Sequence, residues 1–147
     1  MMSDEQTRVG WHRHPNGGGW VEDTAQVADT AYVGPNAEVS GHARVYERAM
    51  VSQNSRVYGH ARVYELSLVG ECARVSGYAK VSGYARVFGD AKVYGHATVF
   101  GHVAVSGHAK VYGHAMVYGD AVVSGCAKVS GRRIVFEGVF NKEENDE

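Results

Sequence analysis

"KVYGHATVFGHVAVSGHAKVYGHAMVYGD" occupies residues 92–120, and its spacing decides how the chain is read. A valine returns every sixth residue, usually with glycine two places later and alanine four places later. Four of the residues are histidine: His96, His102, His108 and His114. The stretch is therefore either a chemical site or a structural repeat that is rich in histidine.

Outward from this stretch the period continues. Every sixth position from Val21 to Val135 is valine, twenty in succession. From Ala25 to Ala127, fifteen of the eighteen sixth positions are alanine, the exceptions being Ser55, Ser67 and Val103. Side chains alternate along an extended chain, so the alanine and valine of each unit share one side and their neighbours the other. Each Ala-x-Val triplet reads as a very short strand with an inward apolar face. Valine suits a strand, and the glycine after it permits a tight turn. Such strands have no stability alone; stacked units share one continuous core.

This pattern resembles the hexapeptide-repeat, left-handed parallel β-helix superfamily, and "YVGPNAEVSG" (residues 32–41) is especially close to its wording. The resemblance covers residues 21–136. It implies an all-β fold, a left-handed parallel β-helix: a triangular solenoid in which three hexads make each coil. The general rule for parallel crossovers would predict the opposite hand. Twenty hexads make between six and seven coils, roughly 30 Å of solenoid at one layer per coil. Residues 1–20 are expected to cap the first coil, since "GWHRHPNGGGWV" holds two tryptophans and a run of three glycines, Gly17 to Gly19, suited to a sharp bend. Residues 137–147 are expected to be an acidic, solvated tail. Arg133 falls where a small inward residue belongs and should break the core there, with Phe136 and Phe140 closing the coil.

Charge is unevenly spread. Residues 1–39 carry six acids and two bases, residues 40–136 five acids and twelve bases, and residues 137–147 five acids and one base. A basic body between acidic ends suits an anion-binding surface. No apolar run approaches a membrane span, and no basic-then-apolar leader opens the chain. A cytoplasmic protein with no membrane contact is expected (host cytoplasm if viral). Cys72 and Cys126 share a corner three layers apart, too far to pair.

Three hexads per coil assign the outward residues to three faces. On face A, Arg56, Arg74, Lys92, Lys110 and Lys128 precede the valines, and Ser40, Tyr58, Ser76, Tyr94, Tyr112 and Ser130 follow them. The next corner carries His42, His60, Tyr78, His96, His114 and Arg132. Face B carries Arg44, Arg62, Lys80, Thr98 and Met116, with the ladder Tyr46, Tyr64, Ser82, Phe100 and Tyr118. Face C is the least charged, with Met50, Leu68, Arg86, Ala104, Val122 and, one row on, Phe88.

Stacked bases repel unless an anion bridges them, and neighbouring tyrosines can stack on bases or donate hydrogen bonds. Arg56, Arg74, Lys92, Lys110, Tyr58, Tyr94 and Tyr112 are therefore the expected ligand-binding residues, for a nucleotide or nucleic acid. Large apolar ladders suit an interface. Met50, Leu68, Phe88, Val122, Tyr46, Tyr64, Phe100 and Tyr118 are the expected interface residues, and the resemblance implies a homotrimer. It also implies two enzymatic alternatives. Acyltransferases of the superfamily use a corner or loop histidine as general base, and His96 and His114 are the nearest matches. The γ-class carbonic anhydrases hold zinc with a His-x-x-x-x-His pair, whereas histidines here are six apart on different corners. No metal and no cofactor are expected. The acyltransferases also build their pockets from a long loop excursion, and here twenty hexads run without an insertion. The reading is a non-catalytic binding or assembly protein, akin to uninterrupted bacterial and prophage hexapeptide proteins and of phage or prophage derivation, acting on a host protein or an anionic ligand. Flat rows of small hydroxyl residues, as ice binding would require, are absent.

Overall fold

The computed structural model describes residues 8–142. The end of the acidic tail, 143–147, and the start of the cap, 1–7, lie outside the described residues.

The chain is a triangular, all-β solenoid of about seven coils. Among the described residues its walls are three sheets of eight, seven and seven strands, most of the strands two residues long. We call them the first, second and third sheets; they carry faces A, B and C respectively. Parallel neighbours are three hexads apart in the chain, as in Arg56↔Arg74, Arg74↔Lys92 and Lys92↔Lys110. The valines between Val33 and Val129 and most of the alanines are 0–1% exposed. Valine lies mid-wall, while alanine follows the corner, where the triangular interior narrows. There the alanine N–H closes the turn, as Ala97 N donates to the Tyr94 carbonyl at 3.3 Å. Two serines replace alanine without harm because their hydroxyls find acceptors. Ser55 Oγ donates to the Ser52 carbonyl at 2.6 Å, and Ser67 Oγ to the Tyr64 carbonyl at 2.7 Å.

The corners explain the glycines. Gly95 has φ +68°, and an added Cβ would lie 2.8 Å from the Gly113 nitrogen in the next coil. Four other corners place Glu47, Gln53, Glu65 and Glu71 at φ 54–61°. A side chain from one layer caps the next: Glu65 N donates to Glu47 Oε1 at 3.0 Å, and Glu71 N to Gln53 Oε1 at 2.7 Å. That hydrogen bond offsets part of the left-handed penalty.

Both ends depart from the repeat. Strand β1 (Trp11–Arg13) pairs antiparallel with β2 (Trp20–Glu22), the first strand of the solenoid. The turn between them lies against the strand Tyr32–Val33: Gly19 N donates to the Val33 carbonyl at 2.8 Å. A Cβ on Gly17 or Gly19 would meet backbone oxygens of that segment, so these glycines are required by close approach. His14 is buried, with Nε2 2.8 Å from the Ala31 carbonyl. The Arg8 guanidinium lies 3.8 Å from the Trp11 ring centre, and that of Arg13 4.2 Å from the Trp20 ring centre. At the other end the strand Val139–Phe140 pairs with Val122–Val123, one position short of the three-hexad offset. That shortening puts Phe140 against the core, in register with Val123. Arg133, half-buried where the repeat has alanine, sets its guanidinium 5.2 Å from the Phe140 ring centre. Phe136 does not close the coil as expected. It is 51% exposed and continues an outer aromatic row, 5.8 Å from Tyr118.

Candidate functional site

The period brings Arg56, Arg74, Lys92, Lys110 and Lys128 into one row on the first sheet, each in register with the next. Their neighbours on the valine side point inward, so alternation alone turns these side chains outward. Across four layer steps the row spans roughly 19 Å. Among the described residues, Arg56, Arg74, Lys92 and Lys110 form no ion pair. Glu38 stands at the foot of the row, in register with Arg56, and is bound by Arg8 at 3.3 Å. The upper four bases form one wall of a groove whose other wall is the corner row Cys72, Asp90, His108 and Cys126. One acid lies in that wall, Asp90, with Oδ2 3.8 Å from His108 Nδ1. Cys72 and Cys126 are exposed free thiols.

On the other side of the bases runs the row Ser40, Tyr58, Ser76, Tyr94, Tyr112 and Ser130. Tyr94 and Tyr112 stack with ring centres 4.9 Å apart and 2° between planes. Burial in this stack, and next the adjoining Tyr112, push the Tyr94 phenol above the ordinary 10.0, with Lys128 pulling the other way. Tyr46 on the second sheet is raised in the same manner, by burial and then by Tyr64. A phenol whose folded pKa exceeds its unfolded one stabilises the fold fully below the unfolded value and loses that contribution as pH rises through the folded value. We expect Tyr46 and Tyr94 to ionise later than free tyrosine in an ultraviolet titration, and stability to fall as pH climbs past about 10. Ionisation of all nine tyrosines in one step at the free value would contradict this.

The corner between the first and second sheets holds a continuous column of five rings: His42, His60, Tyr78, His96 and His114. Successive centres are 5.1, 4.9, 4.9 and 4.9 Å apart. His96 and His114, the histidines matched to the acyltransferase base, are thus stacked face to face. Beside the column, Arg44, Arg62 and Lys80 complete a second basic groove. Sequence reading placed these three bases in a row but not in a groove with the histidine corner. The signal was available in the two-place spacing between His60 and Arg62, which the alternation turns outward together.

The expected interface residues separate into rows. Met50, Leu68 and Val122 share one row of the third sheet and Phe88 lies in the adjacent one, while Tyr46–Tyr64 and Phe100–Tyr118 are stacked pairs on the second. Met50 is 40% exposed, and the corner between these sheets adds Leu66 and Tyr84, at 48% and 55%. Those two corner residues were missed because they occupy turn positions where polar side chains are usual. Among the described residues, no group of three or more His, Cys, Asp or Glu is placed to hold a metal ion, and no helix is long and apolar enough to cross a membrane.

Comparison with known families bears on one coil of this arrangement. Residues 109–125 match a family described as the YdcK beta solenoid repeat. The matched segment includes Lys110 of the basic row and Tyr112 and His114 of the ring rows. No curated protein and no solved structure matches the chain.

Proposed function

We propose that this protein is a non-catalytic solenoid scaffold that binds an anionic ligand, a nucleotide or nucleic acid, along the basic row of its first sheet. The observation that carries the reading is the unbroken register of Arg56, Arg74, Lys92, Lys110 and Lys128. Like charges held side by side in a ladder destabilise it, and an anion laid along the row relieves that repulsion. The groove beside the row offers such a ligand a bed. The backbone needs no ordering on binding, because the sheet sets the spacing beforehand, and only the rotamers of the arginine and lysine side chains are fixed. In the same reading, copies of the chain pack as a trimer through the weakly charged third sheet and the aromatic rows, where Met50, Leu66 and Tyr84 are exposed.

The test is binding of a single-stranded oligonucleotide over a range of salt. A contact with five bases predicts a slope of about −3.5 in log K against log salt, from roughly −0.7 for each phosphate neutralised. Binding that is absent at low salt, or indifferent to salt, would remove the anion reading.

A further inference from the structure

We infer that the layer of Ser76 holds a slot for one planar aromatic ring, and that its ligand is a mononucleotide: base in the slot, phosphate on the adjoining bases. The phosphate half rests on the anionic reading above; the ring half does not. The inference starts from what the filled rows look like. Wherever two rings occupy successive layers of a row they stack: Tyr46 on Tyr64 at 4.9 Å and 1°, Tyr94 on Tyr112 at 4.9 Å and 2°. Ring centres thus repeat with the layer. In the first sheet, Ser76 interrupts the row between Tyr58 and Tyr94. These two tyrosines are two layers apart, roughly 9.6 Å. A planar ring inserted at the level of Ser76 would sit one layer from each, in the contact geometry that the occupied rungs already display. Bases cannot enter the filled rungs, whose faces are taken by each other.

Three further observations favour this position over others. Among the described residues Tyr58 stacks on no ring, and it is 36% exposed. The comparable gap on the second sheet, at Ser82 between Tyr64 and Phe100, is covered: Ser82 is only 6% exposed, while Ser76 is half-buried. The serines Ser40 and Ser130 of the same row have a tyrosine on one side only. The chemical class follows from the neighbours. Arg74 leaves the same strand face two places before Ser76, with Arg56 and Lys92 one layer to either side. An anion tethered to the ring by a sugar-length linker reaches this row. Base–aromatic stacking is largely indifferent to base identity, so the slot selects a ring with a phosphate rather than a particular base.

The test compares adenosine 5′-monophosphate, ribose 5-phosphate and adenosine by calorimetry and ligand-observed NMR. The proteins are wild type, Ser76→Ala and Ser76→Tyr. The slot predicts that the mononucleotide binds wild type and Ser76→Ala about tenfold or more tighter than ribose 5-phosphate. Ser76→Tyr fills the rung, joins Tyr58 to Tyr112 in one stack, and removes that advantage while leaving ribose 5-phosphate binding as it was. An equal affinity of the two phosphates for wild type, or an advantage that survives Ser76→Tyr, overturns the slot. If neither phosphate binds wild type, the anionic reading fails and the slot is judged on adenosine alone: binding lost in Ser76→Tyr upholds it, and no binding overturns it. Should Ser76→Tyr fail to fold, Tyr58→Ala with Tyr94→Ala removes both walls and must produce the same loss.

Discussion

Gly95→Ala lowers the stability of the solenoid by about 2–5 kcal/mol, and Gly131→Ala by only about 1–2 kcal/mol. Both glycines sit in the left-handed region, at φ +68° and +65°, so both substitutions carry the roughly 1–2 kcal/mol of an L residue held there. They differ in what surrounds the new methyl group. At Gly95 it meets the Gly113 nitrogen at 2.8 Å and its oxygen at 3.1 Å, and at Gly131 nothing lies within 4 Å. Backbone cannot swing away as a flexible side chain would, so the coil must open, which adds roughly 1–3 kcal/mol as for overpacked cores. Each coil draws its stability from its neighbours, so the loss at Gly95 spreads to the coils above and below. Denaturant melts and hydrogen exchange of the two variants measure the difference. Equal losses would mean that the corners are not stacked as described.

Arg74→Gln with Lys92→Gln reduces oligonucleotide affinity about 25-fold at about 0.1 M salt, and the log–log salt slope falls from about −3.5 to about −2.1. Both figures follow from removing two of five contacts, each of which releases roughly 0.7 of a counterion from a single strand. The effect is tied to the row and not to net charge. Arg48→Gln with Arg86→Gln removes the same charge from exposed positions off the first sheet and should leave the slope unchanged. If the two double variants weaken binding equally, the ligand senses the field of the whole basic body rather than the ladder.

Much of this architecture is legible from residue spacing alone. Valine at every sixth place and three hexads per coil are enough to write down that Arg74 lies between Arg56 and Lys92, because each coil repeats one geometry and register follows from counting. Counting fails where the geometry changes. The shortened offset that brings Phe140 beneath Arg133 depends on how one large side chain fills a truncated coil. The antiparallel direction of β1 depends on a glycine turn whose close approach to Val33 no period encodes. Glu47 and Glu65 occupy left-handed corners because a side chain in one layer bonds a backbone N–H in the next, a contact visible only once layers are stacked. The candidate site divides in the same way. The basic row was readable, since it is a matter of register. The corner row from His42 to His114 was readable on the same ground, and the spacing of His60 and Arg62 carried the signal for the groove beside it; the face-to-face stacking of the rings and the contrast between half-buried Ser76 and buried Ser82 required side-chain geometry.

The native cysteines offer the most direct check that residues three hexads apart are vertical neighbours. Cys72 and Cys126 are exposed, free and nine hexads apart in the sequence, so spin labels on them should lie three layers apart, roughly 14 Å along the backbone. Moving the second label to position 108, by His108→Cys with Cys126→Ser, should shorten the separation by one layer, roughly 5 Å. Dipolar electron paramagnetic resonance that finds both distances and the one-layer step upholds the triangular tube. A long or broad distribution for the native pair, or a step that does not track the three-hexad count, contradicts it.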